Sequence, residues 1–316
     1  MNLSVVFSGA YEVESVLGKG SFGEVARTRC GRAIKWVKWF NDEDDRFKDR
    51  EVRALEDCCH PNVVALIDYE YNSGHLYVVM ECWVMTLAQR LRGETFSLAQ
   101  GNWILLHIMR GLAHMHDCGY LHRDLKPANI LLNDQRLCLA DFGHAAKYPP
   151  PRDHAPLPSD PLQSALVYTR WYRPPEVTLM LPYDESADVF SVGCIFAEVV
   201  RHALEETPTP LMSESDNCYP LSGARIKEGE HLQTIYKVLG TPTAEERALW
   251  VAPANDDPKF AKGRARLLSF ADGLPMYARC ELGFPEAQTA SLYAMLAYAP
   301  AARKSAAAMR DWISGV

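Results

Sequence analysis

His122-Arg123-Asp124-Leu125-Lys126-Pro127-Ala128-Asn129 is the stretch on which the reading of this chain turns. His122, Arg123, Asp124 and Asn129 at this spacing are expected by chance only about 0.002 times in such a chain at equal residue usage. Each residue type suits one task in a charged reaction centre. The Asp124 carboxylate can accept a hydrogen bond from an attacking hydroxyl and align it. Asn129 offers a neutral oxygen to a hard cation, and Lys126 puts positive charge beside a group that moves as an anion. The plain alternative is a polar loop after a helix.

Working outward, Asp141-Phe142-Gly143 lies twelve residues beyond Asn129. Asp141 suits Mg²⁺ bridging phosphates, and the glycine lets the backbone turn away. Upstream, Leu17-Gly18-Lys19-Gly20-Ser21-Phe22-Gly23-Glu24-Val25 holds a GxGxxG pattern, which arises by chance about 0.1 times in a chain of this size. A dinucleotide-binding loop would be followed by a helix. Here Glu24 to Thr28 and Arg32 to Trp39 read as strands, so the glycines, with Ser21, mark either a simple turn or a hairpin tip lying over phosphates. Arg32-Ala33-Ile34-Lys35 sits on the next strand. Glu51, on the following predicted helix, is an acidic partner that could hold the Lys35 ammonium beside the α- and β-phosphates.

In order and spacing these elements match the protein kinase motif set. From about Tyr11 to Ile313 the chain resembles a eukaryotic protein kinase, which implies ATP, Mg²⁺ and protein substrates. The same resemblance gives Asp124, Lys126, Asn129, Lys35 and Glu51 catalytic roles and makes Asn129 and Asp141 the metal ligands. Gly18, Gly20, Ser21, Gly23 and Lys35 would hold the phosphates. Val25 and Ala33 would cover the adenine, Leu131 would lie beneath it, and Met80 would be the gatekeeper. Glu81 and Trp83 would offer hinge backbone groups to its edge. Taken singly, each of these apolar residues reads as ordinary core.

Lys126 after HRDL resembles serine/threonine rather than tyrosine kinases. Thr169-Arg170-Trp171-Tyr172-Arg173-Pro174-Pro175-Glu176 is similar to the TRWYRAPE block of cyclin-dependent and mitogen-activated kinases, the CMGC group. Leu239 to Thr243 and Asp188 to Cys194 resemble further segments of cyclin-dependent kinases. This implies a proline-directed enzyme, with Thr169 and Arg173 at the substrate pocket, and a structural pair between Glu176 and Arg303. Ser164 stands where the group carries its activating phosphothreonine, with Arg50 and Arg123 as two of its three cradling arginines. Ala146, beside Lys147, replaces the third. Asp45 to Glu51 replaces the helix that cyclins grip, which leaves a cyclin-like activator open. Leu166 occupies the tyrosine position of the mitogen-activated TxY motif. Two other classes share part of this pattern: a pseudokinase scaffold, which loses the lysine or either aspartate, and a nicotinamide-dependent dehydrogenase, which shares only the glycine pattern.

The rest of the chain predicts an α+β, bilobal architecture. A β-rich N-lobe with one helix covers about 1–80, a hinge about 81–84, a mainly helical C-lobe about 85–316, and the activation segment 141–176. Strands are expected at Tyr11–Val16, Glu24–Thr28, Arg32–Trp39, Val63–Tyr69 and Leu76–Glu81, with turns at Gly18–Gly23 and Gly31. Helices are expected over Asp45–Asp57, with Phe47, Val52 and Leu55 inward, over Leu98–Cys118 behind a Ser97/Gln100 capping box, and over Ser186–Arg201. Prolines at 149, 150, 151, 156, 158 and 161 predict an irregular loop. The 316 residues are 48% hydrophobic with a formal charge of -7, which argues against nucleic-acid binding. Scattered cysteines fit a reducing compartment, and the N-terminus has no signal-peptide pattern. The longest apolar run, Val189–Val200, is too short to span a bilayer. The expectation is an intracellular protein without membrane or nucleic-acid partners.

Overall fold

The computed structural model describes residues 11–20, 23–38, 50–72, 74–93, 95–148, 167–204, 210–212, 228–250 and 258–315. Ser21, Phe47, Ser164, Leu166 and the proline-rich 149–161 lie outside these residues, as does the first part of the helix expected from Asp45.

Alternating residues at the front of the chain form one antiparallel sheet. Its strands are β1 (Val13–Gly20), β2 (Gly23–Thr28), β3 (Arg32–Lys38), β4 (Leu66–Asn72) and β5 (His75–Glu81), in the order β1-β2-β3-β5-β4. The turn expected over Gly18–Gly23 is narrower: Gly18 pairs with Val25 and Gly20 with Gly23. Glycine is required at 23 because a Cβ there would stand 2.0 Å from the Trp36 carbonyl oxygen. Gly31 turns the next hairpin at φ +79.

Helix α1 (Arg50–Asp57) buries Val52 and Leu55, as its spacing predicts, and Ala54 beside them. The strand expected at Val63–Tyr69 starts later, at Leu66. Val63 instead bridges to Leu139, and the Val64 N–H donates to the Leu139 carbonyl at 2.9 Å. These apolar residues dock the front of the molecule onto the back.

Beyond the Cys82–Val84 connection come β6 (Met85–Thr86), α2 (Leu87–Arg90) and α3 (Leu98–Asp117). The capping box forms, with Gln100 N–H donating to Ser97 Oγ at 3.2 Å and Ser97 N–H to Gln100 Oε1 at 2.8 Å. Two small sheets follow. In one, β6 pairs with β8 (Ile130–Leu132), which pairs with β9 (Leu137–Leu139); in the other, β7 (Tyr120–Leu121) pairs with β10 (Ala146–Lys147). Helices α4 (Pro175–Thr178), α5 (Ser186–Ala203), α6 (Glu228–Leu239), α7 (Ala244–Ala248), α8 (Pro258–Asp272), α9 (Glu286–Met295) and α10 (Ala306–Ser314) complete the C-lobe. One hydrophobic core joins both lobes, running from Leu55, Val64 and Met80 through Phe142 and Leu139 to α3 and α5. Among the described residues no helix is long and apolar enough to cross a membrane.

Candidate active site

Between β7 and β8 the chain carries the His122–Asn129 stretch, and a buried carboxylate from another element holds its backbone in place. Arg123 has φ 64, an uncommon left-handed conformation for a residue with a Cβ. Asp188, near the start of α5, accepts from the His122 N–H at 2.8 Å and the Arg123 N–H at 2.9 Å, and lies 3.2 Å from His116 Nε2. Burial pushes the Asp188 carboxyl up, but His116, His122 and the Arg123 N–H hold it below its ordinary value. The His122 ring lies 3.0 Å from the Ala140 carbonyl through Nε2 and packs on Phe142, centroids 5.2 Å apart.

Several donors converge on Asp124. Thr169 Oγ1 donates to Oδ1 at 2.7 Å, Lys126 Nζ to Oδ2 at 2.7 Å, and Asn129 Nδ2 to Oδ2 at 3.0 Å. Asn129 Nδ2 also reaches the Asp124 carbonyl at 2.8 Å, so the amide nitrogen is engaged on the Asp124 side and the side-chain oxygen is the amide's acceptor end. Lys126 Nζ lies 3.2 Å from Thr169 Oγ1 and so ties loop, lysine and threonine together.

From β3, Lys35 Nζ donates to Glu51 Oε1 at 2.7 Å, Glu51 Oε2 at 2.9 Å and Asp141 Oδ1 at 2.7 Å. Burial works to lower the Lys35 pKa, but the two carboxylates outweigh it and leave it raised. Burial likewise lifts Asp141, and Lys35 brings it below the ordinary carboxylate value. Asp141 has φ 63 and opens the turn in which Phe142 is buried in the core. A Cβ at Gly143 would stand 3.5 Å from Asp141 Oδ1 and 3.6 Å from Lys35 Nζ, filling the space glycine keeps open beside these charges. The donor set fits Mg²⁺: one carboxylate and one amide oxygen, both hard. Among the described residues no group of three or more His, Cys, Asp or Glu could hold a metal.

Ala33 lies opposite Met80 across β3 and β5, and Val25 lies opposite Lys35. Leu131, in β8, is half-buried. Glu81 ends β5, and Trp83 packs against the main core. Sequence reasoning missed Arg136, in the β8–β9 turn. Its guanidinium donates to both Glu81 oxygens, at 2.7 and 3.2 Å, and lies 4.9 Å from the Trp83 ring centroid. No motif signals it.

At the other rim, Tyr168 is left-handed at φ 62, and its N–H donates to the Arg123 carbonyl at 2.8 Å. The buried Arg173 guanidinium donates to the Tyr168 carbonyl from Nε at 3.1 Å and Nη2 at 2.9 Å, and to the Val167 carbonyl at 3.1 Å. Arg123 Nε donates to the His144 carbonyl at 2.8 Å and Nη1 to the Tyr183 hydroxyl at 3.3 Å. Its Nη2 has no hydrogen-bond partner among the described residues. Arg50 opens α1. Ala146 is buried in β10, and Lys147 turns to Asp57, at 3.5 Å. Glu176 and Arg303 pair at 2.6 and 2.9 Å.

A family model described as "Protein kinase domain" matches residues 11–248. The chain is 34% identical over 224 residues to cyclin-dependent kinase F-3 of Oryza sativa subsp. japonica, covering 67% of this chain and 48% of that protein. Cyclin-dependent kinase G1 of Arabidopsis thaliana is 32% identical over 259 residues, covering 74% and 37% respectively. Serine/threonine-protein kinase crk1 of Schizosaccharomyces pombe is 33% identical over 246 residues, covering 74% and 66%. The chain thus spans between about a third and two thirds of the length of these relatives.

Proposed function

The chain belongs to the protein kinase domain family, and from that premise we propose that it is a serine/threonine kinase moving the ATP γ-phosphoryl group to Ser or Thr followed by Pro. A scaffold that has given up catalysis would lose Lys35, Asp124 or Asp141, and all three stand at hydrogen-bonding distance from their partners.

A bound Mg²⁺–ATP supplies a phosphoryl group whose charge is partly neutralised. Asp141 and the Asn129 oxygen would hold the metal, and Lys35, positioned by Glu51, would orient the phosphates. Asp124 accepts the hydrogen bond of the substrate hydroxyl and aligns it for in-line attack. Lys126, 2.7 Å from Asp124, puts positive charge where the transferred group carries negative charge.

The observation that carries the proline reading is the Arg173 contact with the Tyr168 carbonyl. That carbonyl borders the platform where the residue after the phosphoacceptor would lie, and the guanidinium already occupies it. An ordinary residue would bring a backbone N–H with no acceptor, whereas proline has none to satisfy. The Lys35–Glu51 pair is closed in the isolated chain, which favours turnover without a cyclin-like activator. The unmatched Arg123 Nη2 suits a phosphate on Ser164, although Ala146 and the averted Lys147 leave such a phosphate fewer cations.

The test is phosphate transfer by the purified chain, with Mg²⁺-ATP, onto paired Ser-Pro and Ser-Ala peptides. Asp124→Asn serves as the blank, and its turnover should fall by ~10²–10⁴-fold while nucleotide still binds. Ser-Pro should be preferred, and equal rates on both peptides would refute the proline reading. Turnover surviving in Asp124→Asn would refute the role of Asp124.

A further inference from the structure

We propose that His231 is a positioning residue for substrate choice, whose ring bond to the Arg173 carbonyl keeps the Arg173 guanidinium on the Tyr168 carbonyl and so favours proline after the phosphoacceptor. The inference deepens the proline reading and rests on it. His231 lies near the start of α6 and is buried. Its Nε2 stands 3.0 Å from the Arg173 carbonyl oxygen. A carbonyl only accepts, so Nε2 carries the proton and donates. Burial, joined by the Arg173 and Arg170 guanidiniums, pushes the His231 pKa down to about 3 against the pull of that carbonyl bond. The ring is therefore neutral and adds no third cation beside the two arginines.

Arg173 is held on both sides. The carbonyl before it, that of Tyr172, accepts from Ser191 Oγ at 2.7 Å, and its own carbonyl meets His231. Ser191 belongs to α5 and His231 to α6, so two helices of the C-lobe fix this one residue. The chain then runs Pro174-Pro175, and neither proline has an N–H. The Arg173–Pro174 peptide thus has only its carbonyl to bond with, and His231 takes it. Guanidinium and carbonyl belong to one buried residue, so a shift of its main chain carries the side chain with it. The contacts at stake are those of Nε and Nη2 with the Tyr168 carbonyl, at 3.1 and 2.9 Å, and such bonds weaken steeply as their geometry degrades. Without the His231 donor the Arg173 carbonyl is stranded in a buried position, and the main chain moves toward another donor. The Tyr168 carbonyl is then released to accept the N–H of a residue other than proline.

The purified intact chain and its His231 variants would each phosphorylate the paired Ser-Pro and Ser-Ala peptides, and the ratio of the two kcat/KM values would be read. In His231→Phe, which keeps a ring and loses the donor, the ratio should fall about three- to tenfold through a rise in the Ser-Ala value. His231→Gln sets an amide Nε2 the same number of bonds from the main chain as the imidazole Nε2, and should restore the parent ratio. His231→Asn is one bond too short and should lose it, which gives the same reading if His231→Phe does not fold. Partial unfolding lowers both rates together and leaves the ratio alone, so a merely structural histidine would show equal losses on both peptides. A parent without Ser-Pro preference would overturn the proline reading, and this inference with it. A parent whose preference survives in His231→Phe and His231→Asn, or is lost as fully in His231→Gln, would overturn the role of His231 alone.

Discussion

Asp188 and Glu198 lie on the same helix, α5, and both are fully buried, yet their carboxyls shift in opposite directions. Burial lifts both. At Asp188 two backbone N–H groups and His116 reverse the effect. At Glu198 the Tyr172 hydroxyl and Arg201 offset only part of it, and the pKa stands at about 8. The unfolded chain releases that proton near pH ~4.3. Between the two values the folded state binds more protons than the unfolded state, so stability falls as pH rises through this window. Glu198→Gln keeps the shape and cannot ionise. It should therefore match the parent near pH 4 and be more stable at pH 9, by a few degrees in Tm. Thermal unfolding at both pH values checks this, and a Tm difference independent of pH would contradict it.

The connection that follows β5 is held by a turn far along the chain. The turn between β8 and β9 sends Arg136 to Glu81 and over Trp83, and so fastens the connection between the lobes to the C-lobe. The pair is half-exposed, with side chains 51% and 31% accessible, so it adds less than ~1 kcal/mol to global stability. Its effect falls on the backbone that would meet the adenine edge. Arg136→Ala should raise the KM for ATP about fivefold at nearly unchanged kcat, as expected for losing ~1 kcal/mol of uniform binding. Arg136→Lys should be intermediate, because it keeps the charge and loses the two-pronged geometry. Steady-state kinetics and nucleotide affinity measure both variants; a fall in kcat at constant KM would contradict the argument. The capping box at Ser97 and the glycine at 31 are legible in the sequence because their causes are local. The delayed start of β4 is not, because Val63 and Val64 are diverted by β9, far along the chain. The two-residue β7 and β10 carry no periodicity at all.

Across the whole molecule, the residues proposed to meet the reacting groups are readable because chemistry restricts their type. Lys35, Glu51 and Asp141 meet in one hydrogen-bonded cluster, and Asp124, Asn129 and Thr169 in another. The residues that hold them were harder to see. Tyr168 matters through a left-handed backbone and a carbonyl, which any residue type could supply, and Arg136 acts through a contact that no motif records. Glu176 and Arg303 stand between these cases: the motif named the pair, and the structure adds its surroundings. Arg303 also donates to the carbonyls of Ala297 at 2.8 Å and Ser186 at 3.1 Å, and its guanidinium lies 5.0 Å from the Phe190 ring centroid. Both side chains are almost wholly buried, 0% and 3% accessible, so neither charge can fall back on water when the other is removed. Arg303→Met should cost ~3–5 kcal/mol because it strands the Glu176 carboxylate, a large share of the ~5–15 kcal/mol that holds a domain folded. Adding Glu176→Gln should recover much of that loss, since the stranded charge disappears with it. Urea unfolding of the two single variants and the double variant reads this coupling. Additive losses would mean that each residue acts through its own packing, whereas recovery in the double variant would identify the pair as the clasp joining the end of the activation segment to the C-terminal helices.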